Sequence, residues 1–360
     1  MPFPLTPELS ARVFVVLAAA VAFLLFLALV FALLALVLRI LNDRRDRRWK
    51  ALEERWEPRL LEILAEGEDG VDGAPRVEVA SVMEEVAPGE RLLFAEYLFE
   101  FARRVRGREL DVLRELARLF LPQIAARTRR RRGEDRARAV QILGALGLPQ
   151  YEKELLGSLE DPSPLVAMIA AQSLTRAGRV KVLEQILGRL DRFGSWRRTY
   201  LAGMLAQTGP EAIPLLRSTL ADREQIPTVR SVAAEALLQL PDPAAAEVAA
   251  RVVQEEDDES ILVPCLRLLA RAGTGAHRGP VLGLVSSRHF AVRSQALRAL
   301  GTLGEADDLT ILEEGLHDPS PWVALEAARS LRKLGGTETL RSLASTEGPR
   351  AAVAREILAG

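Results

Sequence analysis

Few side chains in this chain could do chemistry. Cys265 is the sole thiol, and His277, His289 and His317 are the only imidazoles among 360 residues. A cysteine becomes a nucleophile when a cation, a base or a helix N-terminus lowers its pKa, and no His or Lys lies beside Cys265 in the sequence. The histidines are widely spaced and never form a His-Glu pair, and one cysteine supports neither a disulfide framework nor a multi-cysteine zinc site. No Gly-rich phosphate loop with a following Lys and no G-x-S-x-G occurs. No catalytic, cofactor-binding or metal-ligating residue is assigned, and neither a cofactor nor a small-molecule substrate is expected. The chain reads as a scaffold, not an enzyme.

Charge is the other chemistry present. Arg127, Arg129, Arg130, Arg131, Arg132, Arg136 and Arg138 place seven cations in twelve residues, against Glu134 and Asp135. Such a run is either a solvated turn between helices or a patch for lipid headgroups, nucleic acid or an acidic partner. The whole chain carries a net charge of -1, and residues 51–360 hold 41 basic and 46 acidic side chains, a net of -5. A slightly acidic body is a poor nucleic-acid binder, so no nucleic acid is expected and a headgroup or protein contact is preferred. Glu255 to Glu259 is an acidic run that reads as a solvated loop.

The elements that must position these residues begin with a membrane anchor. Residues 13–38 are 26 positions without a charged or polar side chain, bounded by Arg12 and Arg39. As a helix they reach roughly 39 Å, more than a hydrocarbon core of about 30 Å requires. The run is too long for a signal-peptide core and has no A-x-A cleavage site. Arg39, Arg44, Arg45, Arg47, Arg48 and Lys50 follow it, while Arg12 alone precedes it. The positive-inside rule therefore puts the C-terminal part in the cytoplasm and the N-terminus outside. The expected layout is a short extracytoplasmic tail over 1–12, a transmembrane helix over 13–41 and a basic juxtamembrane helix with an acidic Gly/Pro linker over 42–90. Trp49 and Trp56, beside the basic run, suit a lipid interface, and residues 91–360 form an α-solenoid.

The solenoid follows from an internal repeat. Leu143, Leu174, Leu205, Leu237, Leu269, Leu300 and Leu331 mark one slot at spacings of 31 or 32. Four residues earlier stand Ala139, Ala170, Leu201, Ala233, Cys265, Ala296 and Ala327, and eight earlier five of the seven are β-branched. These positions share one helix face, so Cys265 reads as a small core residue. Asp161 and Asp318 suit N-caps, the prolines after them suit a first helical turn, and Gly178 and Gly335 suit helix ends. An amphipathic helix precedes each, and a hairpin of about 31 residues must stack on its neighbours to bury its apolar face. Leu358 marks a shorter final unit. Trp196 and Trp322 share a slot and read as hairpin packing. Arg198, Arg230 and Arg293 share another, seven before the marker leucine, and form the preferred partner-binding ladder.

The pattern D-x-x-x-x-V-x-x-x-A-A-x-x-L-x-x-x-G resembles HEAT repeats, in the short form found in phycobilisome-lyase-like proteins. Asp161, Val166, Ala170, Ala171, Leu174 and Gly178 carry it, as do Asp318, Val323, Ala327, Ala328, Leu331 and Gly335. The layout is similar to bacterial single-span membrane-anchored HEAT proteins, some of them associated with polysaccharide synthases. The resemblance implies an all-α protein with an N-terminal transmembrane helix and a HEAT solenoid. It implies a tethered scaffold in the bacterial inner membrane that binds a membrane-associated protein partner, such as a polysaccharide synthase. Two alternatives stay open: a lyase-like enzyme or chromophore handler, and a nucleic-acid-binding solenoid.

Overall fold

The computed structural model describes residues 7–66, 82, 85–102, 104–105, 107–146, 148–176, 178, 180–194 and 196–359. Within the first helix it describes the side chains of residues 21–34, 36, 39 and 46–64. The described residues are helices and the turns that join them, with no strand among them. The chain divides into two compact units, Met1–Gln123 and Ile124–Gly360.

The first unit contains a 60-residue helix, α1 (Pro7–Glu66), followed by α2 (Arg91–Ala102) and α3 (Arg108–Arg118). Its core forms where the C-terminal turns of α1 meet α2. Leu52, Trp56, Leu60 and Ile63 follow helical spacing and are buried. The Trp56 ring lies 4.5 Å from that of Phe94, and Phe94 stands edge-on to Phe120 at 5.3 Å. Trp56 is thus a core residue and not a lipid-interface anchor. Trp49 is half-buried and meets Tyr97 edge-on at 5.8 Å. Burial, with Glu57 and Glu53 nearby, pushes the Tyr97 phenol up to about 12.

Among the described residues no helix is long and apolar enough to cross a membrane. The expected span over residues 13–38 lies partly outside the residues whose side chains are described. Their unbroken run covers 21–34, which is 14 residues and short of the roughly 20 that a crossing takes. Those side chains are exposed, with Phe23, Leu25 and Leu29 at 63%, 66% and 68%. Most of the expected linker, residues 67–81, 83 and 84, also lies outside the described residues.

The second unit is an array of helical hairpins. After a short helix, α4 (Leu121–Ala125), the second helices of successive hairpins are α5 (Gly133–Leu146), α7 (Pro164–Arg176), α9 (Arg198–Ala206), α11 (Pro227–Leu237), α13 (Glu259–Ala272), α15 (Phe290–Leu303), α17 (Pro321–Lys333) and α19 (Pro349–Ala359). The first helices between them are α6 (Glu152–Ser158), α8 (Val180–Leu187), α10 (Ile213–Ala221), α12 (Ala245–Glu255), α14 (Arg278–Leu282), α16 (Leu309–Gly315) and α18 (Thr337–Ala344). All seven marker leucines lie on second helices and are buried, as are the seven residues four before them. In the last hairpin the buried slot is Ile357, and Leu358 is only half-buried.

Small residues set the helix spacing. A methyl group on Gly301 would lie 2.5 Å from Ser330 Cβ and 2.8 Å from Ser330 Cα, so α15 and α17 touch backbone to side chain. Gly144 faces Ser173 in the same register one end earlier. Most consecutive second helices pack along their lengths, but α7 and α9 touch as lightly as consecutive first helices do. The second helices line one side of the second unit, its inner side, and the first helices line the other. Gly178 and Gly335 adopt φ values of 69° and 90°, a left-handed conformation that ends their helices and that other residues resist.

Candidate protein-binding face

The arginines seven before the marker leucine hold the array together. Arg293 donates from Nε and Nη2 to Asp318 at 2.7 and 2.9 Å, and from Nη1 to the carbonyls of Ser287 and Arg288 at 2.8 and 3.3 Å. Arg136 repeats this arrangement, reaching Asp161 at 2.6 and 2.8 Å and the carbonyls of Arg130 and Arg131, both at 2.9 Å. Arg230 is 6% exposed; it reaches Glu256 at 2.5 Å and the Leu220 carbonyl at 3.1 Å. In each case the acid stands thirteen residues before the next marker leucine. One guanidinium thus closes its own hairpin turn and ties it to the next, using the fixed fork of donors that Arg alone offers.

The predicted ladder of Arg198, Arg230 and Arg293 is therefore not a free basic surface. Arg230 and Arg293 are committed within the array. Arg198 donates to Ser231 Oγ at 3.2 Å, and Ser231 in turn donates to the Ser260 carbonyl at 2.6 Å. Asp161 and Asp318 also differ from simple N-caps. The helices begin three residues later, at Pro164 and Pro321, and each carboxylate accepts the backbone N–H two residues on, at 2.8 Å. The Arg293 guanidinium holds the Asp318 carboxyl below the usual carboxylate range. Burial pushes the Asp161 carboxyl up, but Arg136 and the Ser163 N–H more than offset this and leave it lowered. Asp258 is a direct N-cap, accepting the Ser260 N–H at 2.8 Å.

In the anion patch, Arg129, Arg130, Arg131 and Arg132 are exposed and Arg127 is half-buried. Arg136, counted with them in the sequence, is part of the clamp that shapes their turn.

The reactive residues are built into the fold. Cys265 is fully buried in the small-residue slot, and burial pushes its thiol up to about 12. His277 Nδ1 accepts the Thr274 N–H at 3.0 Å, which leaves Nε2 to donate to Glu247 at 3.0 Å. His289 pairs through Nδ1 with Glu259 at 3.0 Å, across neighbouring second helices. His317 meets the Glu313 carbonyl at 3.2 Å. Among the described residues no group of three or more His, Cys, Asp or Glu is placed to hold a metal ion.

Open surface remains on the inner side of the second helices. Positions five and two before the marker leucine, and two after it, follow at three- and four-residue steps and share one face. A groove of about 500 Å³ opens there between α7, α9 and α11, lined by Gln172, Tyr200, Gly203, Gln207 and Gln239. Its floor exists because Gly203 stands where the other second helices carry Gln141, Gln172, Glu235, Arg267, Arg298 or Arg329. Tyr200 is 41% exposed and stacks on Trp196 at 5.2 Å and 26°. Trp322, in the Trp196 slot, is 66% exposed, so it does not pack within its hairpin as the shared slot suggests. The groove offers amide donors and acceptors and an aromatic ring, which suit the main chain and side chains of an extended polypeptide. A larger cavity, about 900 Å³, lies in the first unit along α1 and α2 and is lined by Arg48, Leu52, Arg55, Trp56, Leu93 and Glu96. There Arg55 is engaged locally, donating to the Glu85 carbonyl at 3.3 Å and lying over the Trp56 ring.

The family of HEAT repeats matches residues 258–332 and 280–359. No curated protein matches the chain. Among solved structures it is similar to Kap121p bound to Pho4p, with 14% identity and a TM-score of 0.48 over 87% of this chain and 43% of that one. It is also similar to Kap121p bound to Nup53p, with 15% identity and a TM-score of 0.47 over 88% and 43%. The chain spans less than half the length of these structures.

Proposed function

We propose that this chain is a membrane-tethered scaffold whose HEAT-type array takes an extended segment of a partner protein along its second helices. The groove at Gly203 carries the reading: it is an open, polar and aromatic channel on the face of the second helices, whose structural cations are already satisfied. Stacked hairpins with an inner face of this kind are suited to long polypeptide ligands. The tether is the apolar segment over residues 13–38, whose described side chains are exposed and would be costly to leave in water. The basic flank from Arg39 to Lys50 supports a cytoplasmic array. Tethering would confine the array to the bilayer and raise its effective concentration near a partner in the same membrane.

Gly203→Arg tests the reading. It fills the groove with the side chain that three later repeats carry at this slot, Arg267, Arg298 and Arg329, and Arg is a better helix former than Gly. The expected result is loss of the partner captured from detergent-solubilised membranes, with thermal unfolding unchanged or slightly raised. Undiminished capture of the same partner would remove the groove from the binding face.

A further inference from the structure

The inner face changes character along the array. Around the groove it is mostly amide and aromatic, with one exposed cation, Arg176, donating to Gln207 at 3.4 Å, and one acid, Glu235. Farther on, over α13, α15 and α17, the positions two before and two after the marker leucine hold Arg267, Arg271, Arg298, Arg329 and Lys333, with Thr302 the single neutral member. Arg267 pairs with Glu235 at 2.9 Å, and Arg329 with Glu326 of its own helix at 2.6 Å. Arg271, Arg298 and Lys333 are exposed and have no ion-pair partner among the described residues. At the other end of the same helices, Phe290 and Trp322 are 51% and 66% exposed. Cations on all three helices and bare apolar rings at the starts of α15 and α17 give this face two sides.

We propose that this face docks an acidic segment of the partner protein, with carboxylates on Arg271, Arg298 and Lys333 and an apolar side chain against Phe290 and Trp322. The inference rests on the scaffold reading and names the chemistry of its ligand. Two steps between neighbouring helices cover about 16–20 Å, which an extended chain spans in about six residues. A carboxylate every second or third residue therefore meets one cation per helix. Residues 51–360 carry a net charge of -5, which disfavours a long phosphate backbone, whereas a short acidic segment meets only the local cations of this face. The chain's own acidic run is already engaged, because Glu256 holds Arg230 and Asp258 caps α13. A second copy of this chain therefore does not supply the ligand from that run.

The test uses the full chain in detergent micelles and a fluorescent synthetic peptide, one Phe followed by alternating Glu and Ser. Fluorescence anisotropy should show saturable binding that weakens as salt rises. The triple substitution Arg271→Gln, Arg298→Gln, Lys333→Gln should weaken it on the order of 100-fold, about fivefold per exposed charge contact. Trp322→Ala should weaken it by about fivefold to tenfold. Gln in place of Glu in the peptide should abolish binding. Absence of saturable binding, equal binding of the Gln peptide, indifference to the triple substitution, or preferential displacement by single-stranded DNA would each overturn the proposal. Capture of the membrane partner separates the two claims. A partner held equally by the triple variant but lost with Gly203→Arg refutes the acidic ligand and leaves the scaffold reading intact. A partner lost with neither refutes the groove reading as well.

Discussion

Removing one member of the Arg293–Asp318 clamp should cost far more than breaking a surface ion pair. The two side chains are only 17% and 12% exposed, and the pair is bidentate at 2.7 and 2.9 Å. Exposed pairs contribute about 0–1 kcal/mol, and stripping one partner from a buried pair costs about 3–5 kcal/mol. This mostly buried pair falls between, at about 2 kcal/mol for Arg293→Met, which also frees the carbonyls of Ser287 and Arg288. At this domain size the loss corresponds to a fall in midpoint of about 4–8 °C. A double-mutant cycle of Arg293→Met and Asp318→Asn, followed by circular dichroism on the full chain, should return a coupling above about 1 kcal/mol. The coupling should also depend on pH with a definite sign. Asp318 has its carboxyl lowered in the folded chain. Its contribution is therefore present above the ordinary carboxylate value near 3.8 and lost as pH falls through the lowered folded value. A coupling below about 0.3 kcal/mol at neutral pH, or one unchanged in strong acid, would refute the clamp.

Other expectations follow from single contacts. Gly301→Ala should destabilise by about 1–2 kcal/mol, because overpacking against Ser330 outweighs the gain in helix propensity. Gly157→Ala, in α6 with nothing within 4 Å of the added methyl, should instead stabilise by about 0.5–1 kcal/mol; thermal midpoints that rank the two the other way would contradict the packing. Cys265 should react with an aromatic disulfide only in denaturant, and reaction at the rate of a free thiol in the native chain would show the slot to be open. Asp308 has its carboxyl lowered by Arg278 in the folded chain, so Asp308→Asn should lower neutral-pH stability and flatten its loss below pH about 4. Removal of residues 1–41 should release the chain from membranes that resist alkaline carbonate, and release of the intact chain by carbonate would refute the tether.

The array was legible because its signal is periodic: the leucines at 31- or 32-residue spacing and the small residues four before them all proved to be buried on second helices. Position along a helix tells less about what a side chain meets. Arg230 and Arg293 share a slot, which marks them as repeat features, but their partners stand 26 and 25 residues away in the next hairpin turn. That distance cannot be read from helical spacing. Arg136 belongs to the same slot and was hidden in a run of arginines. The two tryptophans that misled did so for one reason, since amphipathic spacing gives a register but not the neighbour across it. Trp56 found Phe94 and was buried, while Trp322 found no partner among the described residues and stayed exposed. The groove was missed because its signal is an absence, a glycine at Gly203 where other repeats carry a long side chain.

Site-specific photocrosslinking in intact membranes tests the scaffold claim most directly. The photoreactive residue would replace Tyr200 or Arg298 on the second helices, and Arg251 or Glu314 on the exposed side of first helices. The proposed function predicts one protein adduct shared by the two inner positions and absent from the two outer ones. Adducts confined to the outer positions, or shared equally by all four, would contradict a partner seated on the inner face.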